Sequence, residues 1–424
     1  MSSKVPLSQI AEIVMGQSPK GEEVNNKGIG LPLLNGPTEF TERYPIPVQH
    51  TAYAKKTSLP GDILFCVRGS TTGRMNYSDQ KYCIGRGLAA IRGRNGYPTP
   101  YIKAILEAYL PELLAAATGS TFPNVSKDLI NNILVEVLPV ANACYISKFI
   151  EAQEEKVFNS NQINKTLEQI AQALFKSWFV DFEPVKAKIA VLEAGGSQEE
   201  AILAAMTAIS GKDADSLAVF EREYPEQYAE LKATAELFPS AMQESELGKI
   251  PEGWSVERIG NLLELAYGKA LKSTNRKEGS VPVYGSGGIT GFHNEPLIPH
   301  GSIIVGRKGT VGSLFWEDDP FYAIDTTYYV RPLTIPLTYC YYAMQTLRLE
   351  KMNTDAAVPG LNRENVYRLE LTRPTTCILE KFDLEISLLR KAIRANSNAS
   401  KTLASLRDTL IPKLLSGKLR TQGD

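Results

Sequence analysis

Residues 301–312 read GSIIVGRKGTVG, a short β-like run followed by glycines around an Arg-Lys pair. A phosphate-cradling loop needs Gly-x-x-x-x-Gly-Lys followed by Ser or Thr, so that backbone N–H groups hold phosphate and the hydroxyl holds Mg²⁺. Here Lys308 precedes Gly309, so that chemistry is not specified. Residues 61–73, GDILFCVRGSTTG, follow the same plan 240 positions earlier and align Gly61, Ile63 and Gly69 with Gly301, Ile303 and Gly309. The stretch is half of a repeat, and a long repeat decides architecture before any finer assignment.

Working outward, LSQIAEIVMG at 7–16 aligns without gaps to IGNLLELAYG at 259–268, matching Glu12 with Glu264 and Gly16 with Gly268. LPLLNG at 31–36 and VPVYGS at 281–286 come next, ahead of the glycine stretches. PNVSKDLINNILVEV at 123–137 then matches PGLNRENVYRLELTR at 359–373 with an offset of 236. Ser126 and Asn362 fall where a helix N-cap is wanted, since either side chain accepts from an orphan N–H one turn on. Each copy ends in a helical pattern. Leu379, Phe382, Ile386, Leu389, Ile393, Asn396, Ser400, Leu403, Leu406, Leu410 and Leu414 step mostly by three and four. Ser160, Asn164, Leu167, Ile170, Leu174 and Trp178 hold equivalent places in the first copy. Such spacing draws one apolar seam, and its polar break would set the register of a helix pair.

The expected fold class is α+β: two pseudo-twofold-related α/β modules, each followed by a long helix of coiled-coil-like pattern. The boundaries expected from the pattern are a first module at 1–141, a first spacer helix at 142–190, an acidic helical connector at 191–248, a second module at 249–375 and a second spacer helix at 376–424. Pro184 is expected to end the first helix and Pro412 to kink or interrupt the second. The connector is present in the first copy only, and residues 234–237 (TAEL) would extend a spacer if they lay along its axis.

A chain of 424 residues has room for two or three domains. No apolar run approaches the ~18–20 residues of a membrane span, and MSSKVPLSQI lacks a signal peptide's apolar core, so the cytoplasm is expected and no membrane. Five cysteines without a Cys-x-x-Cys pair and three histidines without His-Glu-x-x-His spacing specify neither a disulfide framework nor a zinc site. The net charge of −1 conceals a division: residues 191–246 hold twelve Asp plus Glu against three Lys plus Arg, so the remainder is net positive. Residues 61–94 carry Arg68, Arg74, Lys81, Arg86, Arg92 and Arg94 against Asp62 and Asp79. A local basic patch, rather than overall charge, is what contact with nucleic-acid phosphates requires; a solvated face is the other reading of the same charges.

With this order of module and helix in place, the chain resembles the specificity (S) subunit of Type I restriction-modification systems. The pieces that carry the resemblance are GDILFCVRGSTTGRM, GSTFPNVSKDLI, LFKSWFVDFEPVKAK, SELGKIPEGWSVERIG, VPVYGSGGITGFHN, AAVPGLNREN and the terminal LIPKLLSGKL. The resemblance implies two target recognition domains separated by two long antiparallel, coiled-coil-like spacer helices, each domain reading one half of an asymmetric, bipartite site in double-stranded DNA. The long helices would act as a ruler and as the docking surface for two modification (methyltransferase) subunits, with restriction subunits joining that core. It also implies a chain without catalysis or cofactor of its own, S-adenosylmethionine, ATP and Mg being expected on partner subunits. No Asn/Asp-Pro-Pro-aromatic tetrad of an adenine methyltransferase occurs. Polar and basic side chains on rigid turns can grip phosphates or read base edges. The candidates are Arg68, Ser70, Thr71, Thr72, Arg74 and Arg86 in the first copy, and Ser286, Thr290, Arg307, Lys308 and Thr310 in the second. Two alternatives stay open: glycine-rich turns that merely close hairpins, and a protein-bridging scaffold that uses its helix pair without DNA.

Overall fold

The computed structural model describes residues 3–117, 123–352 and 360–415. Parts of the stretches quoted above, 1–2, 119–122, 356–359 and 416–419, lie outside the described residues. The chain forms two compact units, Met1–Ile163 with Asn396–Asp424, and Asn164–Ala395.

In the first unit the strands Ala11–Met15, Leu88–Gly93, Ile63–Cys66 and Met75–Tyr77 lie side by side in that order. Successive side chains of a strand point to opposite faces. Ile63 and Phe65 therefore enter one core with Ala89, Ile91 and the helix Thr99–Ala116, while Leu64 and Cys66 enter another with Leu34, Tyr82 and Ile84. A strand buried on both faces must be apolar throughout, which is why ILFCV shows no alternation.

The second unit repeats this sheet with Leu263–Tyr267, Thr327–Pro332, Ser302–Gly306 and Leu314–Glu317 in the same order. Ile303 and Val305 face the larger core and Ile304 the smaller one. Each unit adds a short parallel pairing, Leu33 opposite Cys83 in one and Val283 opposite Tyr322 in the other. Both expected N-caps form: Ser126 accepts from Leu129 N–H, and Asn362 accepts from Glu364 and Asn365 N–H.

The two long helices run Val140–Phe179 and Thr376–Leu415, 40 residues each. Within the first unit Ile146 and Ile150 share a core with Ile411 and Leu415, and Val157 and Phe158 meet Leu403 and Arg407 around one cavity, so the segments are antiparallel. Within the second, Trp178 packs 6.0 Å from Phe382 and Glu168 meets Arg390, again antiparallel. The expected seam is buried at Trp178, Leu379, Phe382 and Ile386, and the buried face departs from it elsewhere: Ala171, Phe175 and Phe179 are buried while Ile170 is 49% exposed, and Ile411 and Leu415 are buried where Leu410 and Leu414 are half-buried. The helices pack on the sheets and on neighbouring helices as well as on each other. The widest contact, not the evenest spacing, sets the buried face.

Three further expectations are corrected. The first long helix ends at Phe179, where Phe182 takes a left-handed φ of 52°, and a new helix, Glu183–Glu193, carries Pro184 in its first turn. Proline suits that position because its missing N–H would have no intrahelical partner there. Pro412 lies within the last turn of a helix that continues to Leu415, so it does not interrupt it. The acidic connector is helical, with Gln198–Ser210, Ala214–Glu223 and Pro225–Glu236, but it folds onto the second unit. Phe238 packs 5.1 Å from Trp178, Lys188 Nζ donates to Phe238 O (2.6 Å), and Lys381 pairs with Glu230. Thr234 and Ala235 are buried there, Ala235 in a small apolar cluster, so residues 234–237 pack within the connector and do not extend a spacer.

Candidate nucleic-acid interface

The turn after Ile63–Cys66 is built by backbone hydrogen bonds of which three recur at equivalent positions after Ser302–Gly306. Val67 N–H donates to Gly87 O (2.9 Å) where Arg307 N–H donates to Thr326 O (2.9 Å). Val125 N–H donates to Val67 O (2.9 Å) where Leu361 N–H donates to Arg307 O (2.8 Å), and Gly73 N–H to Cys66 O (2.9 Å) where Gly312 N–H goes to Gly306 O (2.8 Å). Gly69 and Gly309 both hold a left-handed φ, 92° and 85°, which only glycine adopts without strain. Gly16 and Gly268 are close approaches: a Cβ on either would lie 2.1 Å from a carbonyl oxygen of an adjacent backbone segment, that of Gly85 or of Ile324.

On these matched turns the candidate side chains have different surroundings. In the first unit Arg68, Ser70, Arg74 and Arg86 are exposed. Arg68 Nε donates to Asn124 Oδ1 (3.2 Å), holding that cation against the loop before the Ser126 cap. Thr72 Oγ1 bonds Gly69 O and Pro123 O (2.8 Å each), and the Thr71 hydroxyl lies 3.7 Å from Cys66 Sγ, so both close the turn from inside. Arg92 is also structural, pairing with buried Asp62 at 2.7 Å; burial leaves the Asp62 carboxyl above its ordinary pKa despite this partner. The turn carrying Arg86 joins the turn carrying Arg68 through Val67 and Gly87.

In the second unit Lys308 and Thr310 are exposed, and Ser286 Oγ accepts from Thr310 N–H (3.3 Å), which brings the two glycine-rich stretches together. Thr290 Oγ1 donates to Val283 O (3.1 Å) and accepts from Arg276 Nη2 (3.3 Å). Arg307 is half-buried. Its guanidinium lies 4.9 Å from the Tyr267 ring and 5.7 Å from Tyr328, while Arg363 lies 5.1 Å from the same Tyr267 ring. Stacking of this kind orients a cation and partly neutralises the cost of burying it. Burial, followed by neighbouring Tyr267, pushes the Tyr328 phenol up to about 12, so it stays neutral.

Sequence reasoning missed Tyr267 and Asn124, which position Arg307 and Arg68, Arg363 as a second cation on the Tyr267 ring, and a polar cleft of about 490 Å³ lined by Ser18, Asn35, Gln49 and Arg86. The signal was the mismatch of LPLLNG with VPVYGS, which sets Asn35 opposite Gly285. Among the described residues no group of three or more His, Cys, Asp or Glu could hold a metal, and no helix is long and apolar enough to cross a membrane.

Comparison with known proteins places this arrangement. The specificity subunit of the Type I restriction enzyme HindI from Haemophilus influenzae is 29% identical over 405 residues, covering 86% of this chain and 88% of that one. A putative Type I specificity subunit, MjaX of Methanocaldococcus jannaschii, is 31% identical over 168 residues, or 38% of this chain and 39% of that one. The crystal structure of a Type I restriction-modification S subunit from M. genitalium shares the fold, with a TM-score of 0.56 and 16% identity over 98% of this chain and 96% of that one. The model of the Type I restriction modification DNA specificity domain matches residues 2–169 and again 251–389, one match on each copy of the repeat, and the chain belongs to that family.

Proposed function

We propose that this chain is the non-catalytic, DNA-reading subunit of a cytoplasmic Type I restriction-modification assembly, each unit reading one half of a bipartite, asymmetric duplex target. The observation that carries this reading is the repeated turn: the backbone bonding is shared, while the outward side chains differ between units. One framework bearing two side-chain sets suits one molecule that reads two different half-sites. Residues 1–141 and 249–375 act as the recognition modules, with Arg68, Arg74, Arg86 and Lys308 as exposed cations for phosphate or base-edge contact and Ser70 and Thr310 as exposed hydroxyls. The long helices, Val140–Phe179 and Thr376–Leu415, dock two modification subunits, with restriction subunits joining them. Those partners supply S-adenosylmethionine, ATP and Mg.

The test exchanges residues 1–141 for another family member's first module and maps methylated adenines in cells carrying the modification subunit. One half-site should change and the other persist; alteration of both would overturn the modular reading. Capture of a modification subunit without salt-sensitive duplex binding would favour a protein-bridging scaffold instead.

A further inference from the structure

The polar cleft of the first unit holds a directed chain of hydrogen bonds. Arg86 N–H donates to Ser18 Oγ (3.1 Å), Ser18 Oγ donates to Asn35 Oδ1 (3.4 Å), and Asn35 Nδ2 donates to Gln49 Oε1 (3.2 Å). Gly85 lets the backbone beside Arg86 close on Asn35, since a Cβ there would lie 2.5 Å from Asn35 Oδ1. Asn25, on the cleft wall, is fully used inside the fold. Its Oδ1 accepts from Lys27 and Ile29 N–H, and its Nδ2 donates to Ile29 O and His50 O.

The chain fixes which way both carboxamides face and ends on Gln49. That side chain then presents to the open cleft an amide N–H₂ and the remaining lone pair of Oε1, a donor and an acceptor side by side. Adenine offers the complement in the major groove, N7 as acceptor and N6–H₂ as donor, and a carboxamide meets both at once. A side chain pre-oriented by its neighbours loses less freedom on binding than a free surface glutamine. The second unit cannot repeat the device, because Gly285 stands where the first has Asn35.

We propose that Gln49 reads one adenine of the first half-site through its carboxamide edge, with Asn35 and Ser18 as positioning residues; this rests on the DNA-reading function proposed above. The experiment uses the full chain assembled with its modification subunit. After methylation mapping gives the target, binding is measured to duplexes in which each base pair of both half-sites is replaced in turn. Gln49→Ala should lose about tenfold or more discrimination at a single A·T pair of the first half-site and leave the second half-site unchanged. Asn35→Asp, which cannot donate to Gln49, should relax that same position while the thermal midpoint stays near the parent's. Equal weakening on every duplex would make Gln49 a backbone contact and overturn the proposal, as would full discrimination in both variants. A parent assembly that shows neither mapped methylation nor salt-sensitive binding would instead overturn the underlying function.

Discussion

Val67 and Arg307 occupy the same place in two copies of one backbone, yet the first is fully buried and apolar while the second carries a charge. The difference lies in the neighbours. At the position of Met15 the second unit has Tyr267, and at that of Ala89 it has Tyr328, so a guanidinium there finds two ring faces. The backbone hydrogen bonds at this position are the same whether it holds Val67 or Arg307, whereas the side chain there depends on what the adjacent strands offer. Side chains on these turns can therefore diverge between units without loss of the framework, but only in groups that pack together.

The sharpest way to break that comparison is to move the charge into the unit without rings. Val67→Arg should destabilise the first unit by more than about 3 kcal/mol, because a buried cation without a partner is left uncompensated. Denaturant unfolding of the purified chain reads this; a loss under 1 kcal/mol would mean that the first unit also shelters cations.

A second comparison concerns how each sheet is tied to its helices. In the first unit Lys103, on the helix Thr99–Ala116, bridges Glu107 and Glu154 at 2.7 and 2.8 Å over the Tyr77 ring. In the second, Arg390 on the long helix joins Glu168 and Asp318 over Trp316. Lys103→Met should cost about 3 kcal/mol by stranding Glu154, whose side chain is 13% exposed. Burial by itself would lower the Lys103 pKa, but Glu107 and Glu154 together raise it. A raised ammonium pKa means stability fully present below the ordinary lysine value and lost as pH rises through the folded one. The cost of the substitution should therefore hold steady from pH 6 to 9 and shrink only in more alkaline buffer. A cost that fades near neutrality would refute the pairing.

Where the two units agree, the same change should have the same effect. Gly16→Ala and Gly268→Ala each drive a Cβ against a backbone carbonyl, and each should cost about 2–3 kcal/mol. Thermal scans in which only one variant is destabilised would show that the close approach is not a shared requirement. Arg307→Val, which gives the second unit the first unit's residue, should cost only about 1 kcal/mol, the size of the lost ring contacts. A duplex titration on that variant separates a supporting role from a direct one: a change in affinity larger than the change in stability would assign Arg307 to the DNA.

The smallest stability effects belong to exposed cations. Arg74→Ala and Lys308→Ala should leave unfolding within about 0.5 kcal/mol of the parent. Each should lower the slope of log affinity against log salt by about one if it grips phosphate. The double variant should show the sum, since the sites lie in separate units. Unchanged salt slopes in both would move the phosphate-contacting surface away from these turns.

The amino-acid sequence by itself determined what local chemistry controls. The repeat offsets, the apolar run at 63–67, the glycines of the turns and the caps at Ser126 and Asn362 all follow from steric or hydrogen-bonding demands within a few residues. Tertiary structure decided what depends on contacts from several sides. A helix with apolar residues at both Ile170 and Ala171 does not announce which one a neighbour will cover, and the aromatic cluster around Trp178 and Phe382 settled it. Pro184 is compatible with ending a helix or starting one, and only the left-handed turn at Phe182 distinguishes them. Likewise Thr72 and Ser70 are equivalent as sequence, but one hydroxyl is bound inside its turn and the other side chain faces solvent. Availability of a polar group is a property of its surroundings, and these are assembled from Pro123, Asn124 and Gly87, residues far away along the chain.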